Sequence, residues 1–246
     1  MKTITFAIQK GGTGKTSVSV SIAGELALAG KKTLLVDADP QGNSTGWIFP
    51  EIEYEFADVI LGKASLNQAI KQTAVENLFI LPTAGLGGSL RDFSQTATGD
   101  KIYFVRNVLD EVEKLGFEYC IFDTSPAFDA FEEDIMTASD EVIVVIKADA
   151  YSQDGLQIFK DNLDSYKKRR RVQNPKFETI VLNEINRSIK LTDIISEGLN
   201  AGDFNVVYVP VDQDFKYATI ERQTIQQRGG KKETLDALKK LADLIK

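Results

Sequence analysis

The sequence predicts an α/β fold in which helices flank a doubly wound, mainly parallel sheet. Short apolar runs rich in β-branched residues alternate with helical patterns along the whole chain. Several runs, among them VIVVI at 142–146, are apolar at every position, as expected for strands covered on both faces. A glycine-rich turn joins the first run to the first helical pattern, which places that turn at the carboxyl end of the first strand.

The elements follow one another in a regular order. The apolar runs predict seven strands, at 3–8, 33–37, 78–81, 118–122, 141–146, 178–183 and 205–209. Helical spacing between them predicts helices near 15–29, 55–61, 100–115, 129–138, 152–170, 190–199 and 232–245. The segment 83–100 is the least regular and predicts a surface loop or a short helix. Because no repeat, low-complexity tract or flexible linker interrupts this order, we expect one domain over residues 1–246.

The composition excludes several classes of function. The chain has no histidine, which excludes Ser-His-Asp and Cys-His catalysis and histidine-based zinc sites. Its single cysteine, Cys120, lies in an apolar strand pattern, so we expect a buried structural thiol in a reducing compartment. The sequence has no apolar span of about 18 residues and no signal-peptide pattern. We therefore expect a cytoplasmic protein.

The charge is distributed unevenly along the chain. The net charge is −7, but residues 1–150 carry 12 Lys and Arg against 22 Asp and Glu, whereas residues 151–246 carry 17 against 14. A surface for a polyanion is therefore expected in the C-terminal part, if the protein has one.

The glycine-rich turn predicts a phosphate-binding loop. Gly11, Gly12 and Gly14 allow several backbone N–H groups to point at one anion, and the positive end of the following helix adds to that field. Lys15 supplies a charge for the β and γ phosphates, and the Thr16 hydroxyl can ligate Mg²⁺. The nucleotide-binding residues predicted from this segment are Gly11, Gly12, Thr13, Gly14, Lys15, Thr16 and Ser17.

The loop departs from the usual pattern G-x-x-x-x-G-K-[ST] in two places. Gln9 stands at the first glycine position, and a second lysine, Lys10, begins the loop. Lys10 has two interpretations, as a functional cation or as an ordinary solvated lysine beside the loop.

Carboxylates follow two later strands. Asp37 and Asp39 flank Ala38 at the end of the second strand, so both share one face at strand spacing. Asp123 ends another apolar strand in the Walker B arrangement. An Asp at a strand end can also cap the next turn or helix, but three such elements in consistent order predict a nucleotide and Mg²⁺ site.

The segments KGGTGKT at 10–16 and VDADPQGN at 36–43 resemble the deviant Walker A ATPases of the ParA/MinD group, most closely the Soj-type ParA partition ATPases. The resemblance runs nearly end to end, with DTSP at 123–126, the stretch 151–155 and the pair Val209-Pro210 as weaker support. It implies a P-loop ATPase that hydrolyses ATP with Mg²⁺.

The resemblance also implies roles for individual residues. In the family, ATP is held between two subunits, and the lysine at the position of Lys10 reaches the partner's nucleotide, much as an arginine finger does. The implied catalytic residues are Lys10, Lys15 and Asp39, with Asp39 orienting the attacking water. The implied metal residues are Thr16, Asp37 and Asp123, and Asn183 and Pro210 lie where the family contacts adenine.

The partners implied by the resemblance are a second copy of the chain on ATP binding, nonspecific duplex DNA of the nucleoid and a ParB-like centromere-binding adaptor. The predicted DNA-binding cations are Lys167, Lys168, Arg169, Arg170, Arg171, Arg187, Lys190, Lys216 and Arg222, with Arg228, Lys231 and Lys232 as further candidates. Cations at a helix C-terminus also stabilise the helix dipole, which explains the run 167–171 equally well. The family often carries arginines after Pro210, whereas this chain has the acidic segment VDQDFK at 211–216.

Three alternatives remain open. A ParA-like protein that positions a non-DNA cargo would show the same motifs. A MinD-like membrane anchor would use the apolar stripe of the last helix, Leu235, Leu238, Leu241, Ala242 and Ile245, but its polar face has mixed charge and no aromatic anchor, so packing on the sheet is favoured. A synthetase or metal-cluster carrier is disfavoured because Cys120 has no second cysteine beside it.

Overall fold

The structure is a computed structural model that describes residues 1–49, 51–96, 104–149, 152–186, 195, 197–199 and 203–245. One eight-stranded sheet forms its centre, in the order β3-β4-β2-β5-β1-β6-β7-β8. The strands are Lys2–Ala7 (β1), Thr33–Ala38 (β2), Lys71–Gln72 (β3), Leu78–Leu81 (β4), Tyr119–Thr124 (β5), Glu141–Lys147 (β6), Lys176–Ile185 (β7) and Asn205–Pro210 (β8). All neighbours are parallel except β3 and β4, which pair antiparallel at one edge.

Helices cover both faces of the sheet. In the described part of the chain they are Lys15–Leu28 (α1), Asn43–Ile48 (α2), Phe56–Ile60 (α3), Leu66–Ala69 (α4), Leu90–Thr96 (α5), Phe104–Lys114 (α6), Ala130–Ala138 (α7), Ser152–Arg170 (α8), Asp214–Glu221 (α9), Ile225–Arg228 (α10) and Lys232–Ile245 (α11). The predicted doubly wound α/β fold is therefore confirmed.

All seven predicted strands are present, and the sequence missed only the two-residue strand β3. It also missed the short helices α2, α4, α9 and α10, which are too short to show a helical period. The irregular segment 83–100 contains α5, a short helix. The helix expected near 190–199 lies mostly outside the described residues.

The strand order brings the ends of three strands together. Strand β1 lies between β5 and β6, and β5 lies between β1 and β2. Since these strands are parallel, the loop after β1, the residues after β2 and the end of β5 meet at one edge. A change in winding direction at such a point opens a crevice for a ligand.

Alternating strand residues supply two apolar layers. Leu35 packs with α1 and α11 on one face, whereas Leu34 and Val36 pack with α3, α6 and α7 on the other. A third cluster lies under α8, around Val144. Cys120 is buried in the second layer, and this burial raises the pKa of its thiol. The expectation of a buried thiol is thus confirmed.

The last helix packs on the body of the protein. In α11, Leu238, Leu241 and Ile245 are fully buried against α1 and the strands. The apolar stripe that an amphipathic anchor would expose is therefore part of the core. Among the described helices, none is both long and apolar enough to cross a membrane.

We predict that Leu241→Ala lowers the free energy of unfolding by about 2–5 kcal/mol, because it leaves a cavity beneath α11. Leu244, in the same helix, is 39% exposed, so Leu244→Ala is the matched control and should change that free energy by less than about 1 kcal/mol. Urea denaturation measures both variants. Equal effects would contradict the packing of α11 described above.

Candidate nucleotide-binding site

The loop between β1 and α1 encloses a cavity of about 200 Å³. Gly12 and Gly14 have φ angles of 73° and 92°, and Gly14 is the N-cap of α1. Glycine adopts these left-handed conformations without steric cost. The cavity is lined by Gly11, Gly12, Thr13, Gly14, Lys15, Thr16, Asp39, Gln41, Asn43 and Pro126, so the structure brings the predicted phosphate loop to Asp39.

Gly14 is also fixed by a close neighbour. The Asn183 side chain donates from Nδ2 to the Thr13 carbonyl at 2.9 Å. A Cβ on residue 14 would lie 2.1 Å from that Nδ2. Asn183 therefore braces the phosphate loop from β7, a role that the sequence did not predict for it.

Lys15 is the cation of the cavity. It is 6% exposed, and its Nζ lies 3.4 Å from the Lys10 carbonyl oxygen. Burial lowers the pKa of the Lys15 ammonium, while the nearby carboxylates of Asp123, Asp39 and Glu132 oppose that shift. A buried ammonium that faces three carboxylates is well placed to meet a polyphosphate.

Two of the predicted carboxylates stand side by side. Asp37 and Asp123 are partners in the register of β2 and β5, and both are fully buried. Burial and the Asp123 charge raise the pKa of Asp37 to about 7. Burial raises the pKa of Asp123 to about 6, with Thr16 and Ser19 favouring the ionised form. Like charges at this spacing in an apolar setting favour a cation.

Asp37, Asp39 and Asp123 differ in their hydrogen-bond partners. Asp37 accepts hydrogen bonds at 2.8 Å and 2.7 Å from the backbone N–H and the hydroxyl of Thr45. Asp39 accepts from the Gln41 N–H at 2.9 Å and lines the cavity. Neither oxygen of the buried Asp123 accepts a hydrogen bond of normal geometry among the described residues, although the Thr16 and Ser19 hydroxyls lie close enough to favour its ionised form.

The donor set fits Mg²⁺. The two buried oxygens of Asp123 accept no hydrogen bond of normal geometry among the described residues, the Thr16 hydroxyl favours its ionised form, and Thr16 lines the cavity. Within the described residues, no group of three or more Cys, Asp or Glu side chains is arranged to hold a metal alone. Mg²⁺ in nucleotide sites typically binds one or two carboxylates and completes its shell with phosphates and water.

Lys10 lies apart from this cavity. Its Nζ is 2.5 Å from Asp149 Oδ2, in the turn after β6, and it is absent from the described residues that line the cavity. The side chains of Lys10 and Asp149 are 35% and 37% exposed. The lysine therefore stands at the protein surface, beside the phosphate loop.

A second cavity of about 310 Å³ adjoins the first helix. Its lining joins the start of α1 to the end of β7 and the segment after β8: Ser17, Asn183, Glu184, Val211, Asp212, Gln213, Phe215, Lys216 and Thr219. Ser17 and Asn183, both predicted for the nucleotide, thus share this wall. Pro210 is the last residue of β8 and precedes the lining segment 211–213.

The predicted DNA-binding cations form two separate groups. Helix α8 begins at the carboxyl edge of the sheet and ends at its amino edge, which carries the group Lys167, Lys168, Arg169, Arg170 and Arg171 away from the cavity. Lys216 and Arg222 follow β8 along the chain, and Lys216 lines the second cavity. Arg169 and Arg170 both pair with Glu133. Arg187 and Lys190 lie outside the described residues.

The sequence did not single out four residues that the structure brings to the site. Gln41 and Asn43 line the first cavity, and they lie in the motif DPQGN, which is the signal that could have identified them. Glu132 is buried and accepts a short hydrogen bond from Ser125 Oγ, and its charge opposes the lowering of the Lys15 pKa. Asp149 pairs with Lys10. For these last two, no local pattern marks the contact.

Comparison with known proteins gives consistent similarities. A family model described as an AAA domain matches residues 1–179. An uncharacterized protein of Borreliella burgdorferi is 38% identical over 77% of this chain and 77% of its own length. The chromosome partitioning protein ParA of Caulobacter vibrioides is 29% identical over 85% of this chain and 79% of its own.

The chromosome-partitioning ATPase Soj of Treponema pallidum is 32% identical over 64% of this chain, and the match spans 61% of that protein, less than two thirds of its length. Among solved structures, that of apo McdA from Cyanothece superposes with a TM-score of 0.85 over 100% of this chain and 99% of that chain. At 20% identity, this last likeness concerns the fold.

We predict that Gly14→Ala destabilises the nucleotide-free protein by about 1–3 kcal/mol, because the new Cβ meets Asn183 and φ is left-handed. At Gly11, a Cβ would meet no atom within 4 Å, so Gly11→Ala is the control and should melt like the wild type. Thermal unfolding measures both. A Gly14→Ala protein with wild-type stability would show that Asn183 does not brace the loop.

We also predict that the nucleotide-free protein loses stability as the pH rises from 5 to 8. The raised pKa values of Asp37, Asp123 and Glu132 mean that the folded chain keeps protons that the unfolded chain releases near pH 4. The stabilisation is complete below about pH 4 and is lost as the pH passes through about 6 to 7, the folded values of Asp37 and Asp123.

The melting temperature measured across this range checks the sign. Glu132→Gln removes one titrating group and should flatten the dependence, whereas replacement of the exposed Glu111 by Gln should leave it unchanged. A melting temperature that rises from pH 5 to 8 in the wild type would contradict the prediction.

Proposed function

The chain belongs to the ParA/MinD family of P-loop ATPases, and from that premise we propose that it is an ATP-dependent dimerising ATPase for plasmid or chromosome partition. The family assignment rests on the AAA-domain match over residues 1–179 and on the partition relatives. The proposed cofactor and dimer are supported by the geometry of the nucleotide site. The proposed process and partners are supported by the names of the partition relatives.

The phosphate loop binds the triphosphate of ATP in this proposal. Backbone N–H groups at the start of α1 and the buried Lys15 ammonium face the β and γ phosphates. The second cavity, beside Ser17 and Asn183, receives the nucleoside, with the backbone around Pro210 at its edge. Thr16 and Asp123 would hold Mg²⁺, with Asp37 beside Asp123, and the bound ion would supply neutralisation of the phosphate charge.

Asp39 orients the attacking water. It lines the cavity at 7% exposure, and the Gln41 N–H holds one of its oxygens at 2.9 Å. A carboxylate fixed in this way can accept a hydrogen bond from water in line with the γ phosphate. Lys15 stabilises the negative charge that develops as that phosphate leaves.

The position of Lys10 is the observation from which we infer the dimer. The lysine stands outside its own phosphate cavity and is held at the surface by Asp149. A second copy that faced this surface would receive the Lys10 ammonium at its γ phosphate, and a cation delivered between chains is a known way to accelerate phosphoryl transfer. The nucleotide then acts as the contact that joins two subunits.

Duplex DNA and a ParB-like adaptor complete the proposal. The names of the partition relatives support this choice of process. Of the two groups of cations, the one that follows β8 includes Lys216, which lines the second cavity, so DNA contact there would depend on the nucleotide state. The protein would then associate with the nucleoid in its ATP form. Salt-sensitive binding is expected because phosphate contacts release counterions.

The test is Lys10→Ala in the presence of ATP and duplex DNA. We expect it to lower ATP hydrolysis by about 10²-fold or more and to abolish the ATP-dependent dimer. Asp39→Ala is the matched comparison, because it should block hydrolysis yet leave the dimer. Light scattering coupled to gel filtration reports the dimer, and phosphate release reports hydrolysis. If Lys10→Ala dimerises and turns over like the wild type, the shared site is wrong.

A further inference from the structure

Asp37 is committed to hydrogen bonds within the protein. Its Oδ2 accepts from the Thr45 N–H at 2.8 Å and from the Thr45 hydroxyl at 2.7 Å, and its Oδ1 accepts from the Asp39 N–H at 3.3 Å. Like Asp123, Asp37 is absent from the described lining of the phosphate cavity. Its oxygens therefore point to helix α2 and to the turn that carries Asp39.

A third residue closes this network. The Thr83 N–H donates to Thr45 Oγ1 at 2.9 Å, and the Thr83 hydroxyl donates to the Asp37 carbonyl at 2.6 Å. All three residues are buried, with exposures of 0%, 4% and 1%. We call Asp37, Thr45 and Thr83 the Asp37 clasp. It joins the end of β2, helix α2 and the loop after β4.

Asp123 presents the opposite case. It lies beside Asp37 in the register of the sheet and is equally buried, but neither of its oxygens accepts a hydrogen bond of normal geometry among the described residues, although the nearby Thr16 and Ser19 hydroxyls favour its ionised form. A buried carboxylate without partners is expensive unless a cation completes it. The two neighbouring carboxylates are therefore not equivalent. Asp37 accepts three hydrogen bonds from the protein, whereas Asp123 accepts none of normal geometry among the described residues.

We propose that Asp37 is a positioning residue: through Thr45 and Thr83 it fixes α2 and the 39–42 turn, and thereby aims Asp39, while Asp123 is the carboxylate that meets the cation. This goes beyond the role in metal binding that the family resemblance implies for Asp37. Close packing supports it, since a Cβ on Gly42 would lie 2.7 Å from the Thr83 carbonyl oxygen. The turn has no room to move independently of the loop after β4.

The chain contains its own reporter of this clasp. Trp47 is the only tryptophan, lies in α2 two residues after Thr45, is 3% exposed and donates from Nε1 to the Gln223 carbonyl at 2.8 Å. A displacement of α2 would break that bond and admit water, which shifts tryptophan emission to longer wavelength. The reporter needs no nucleotide.

The experiment compares four variants: Thr45→Val, Thr45→Ser, Asp37→Asn and Asp123→Asn. In the nucleotide-free protein, we expect Thr45→Val and Asp37→Asn to shift Trp47 emission to longer wavelength. Thr45→Ser keeps the hydroxyl and should therefore show the same Trp47 emission as the wild type. Asp123→Asn should also show wild-type emission. Circular dichroism checks folding, and if Asp37→Asn does not fold, the Thr45→Val and Thr45→Ser pair decides this arm.

Binding of a non-hydrolysable fluorescent ATP analogue, measured with and without Mg²⁺, forms the second arm. Asp37→Asn and Thr45→Val should keep the Mg²⁺ effect on affinity within about twofold of the wild type, and Asp123→Asn should lose it. Both clasp variants should lower kcat by about 10- to 100-fold with little change in KM, because Asp39 is misplaced.

Two results would overturn the proposal: loss of the Mg²⁺ effect in Asp37→Asn, or unchanged Trp47 emission in Thr45→Val. The binding and kinetic arm rests on the proposed function, whereas the emission arm does not. If the wild type fails to bind the ATP analogue, the proposed function fails, and Trp47 emission still decides whether the clasp exists.

Discussion

The site depends on two buried carboxylates that the parallel sheet places side by side. The register of β2 against β5 pairs Asp37 with Asp123. Two like charges in an apolar setting are unfavourable unless hydrogen bonds and cations compensate them. The hydroxyl and N–H groups of Thr45 donate hydrogen bonds to Asp37, whereas Lys15 lies near Asp123. These surrounding contacts compensate the charge of the pair.

The loops around the pair are held by contacts from distant parts of the chain. Asn183, from β7, braces the phosphate loop through Thr13, and Asp149 holds Lys10 beside the same loop. These contacts restrain the loop from within the protein, which lowers the entropic cost of binding a phosphate. They also separate two lysines of one motif, with Lys15 inside the cavity and Lys10 at the surface.

The sequence alone predicted the strands and the position of the phosphate loop, because apolar runs and glycine spacing are local signals. Helices α2 and α9 were missed because six and eight residues carry too little periodicity. The partners of Lys10 and Thr13 were also missed, since Asp149 and Asn183 lie 139 and 170 residues away. The cations at the end of α8 were predicted to bind DNA together with Lys216, but the helix carries them to the opposite edge of the sheet. Only tertiary structure contains that information.

The most direct test of a shared site mixes two inactive subunits, Lys10→Ala and Asp39→Ala. In a mixed dimer, the Lys10→Ala subunit keeps its own Asp39 and receives Lys10 from its partner, so one of the two sites is intact. Each mixed dimer has one intact site of two, so equal amounts should recover ATP hydrolysis well above that of either variant alone, up to about half of the wild-type rate if every subunit pairs in a mixed dimer. A mixture no more active than either variant alone would show that Lys10 acts within its own chain.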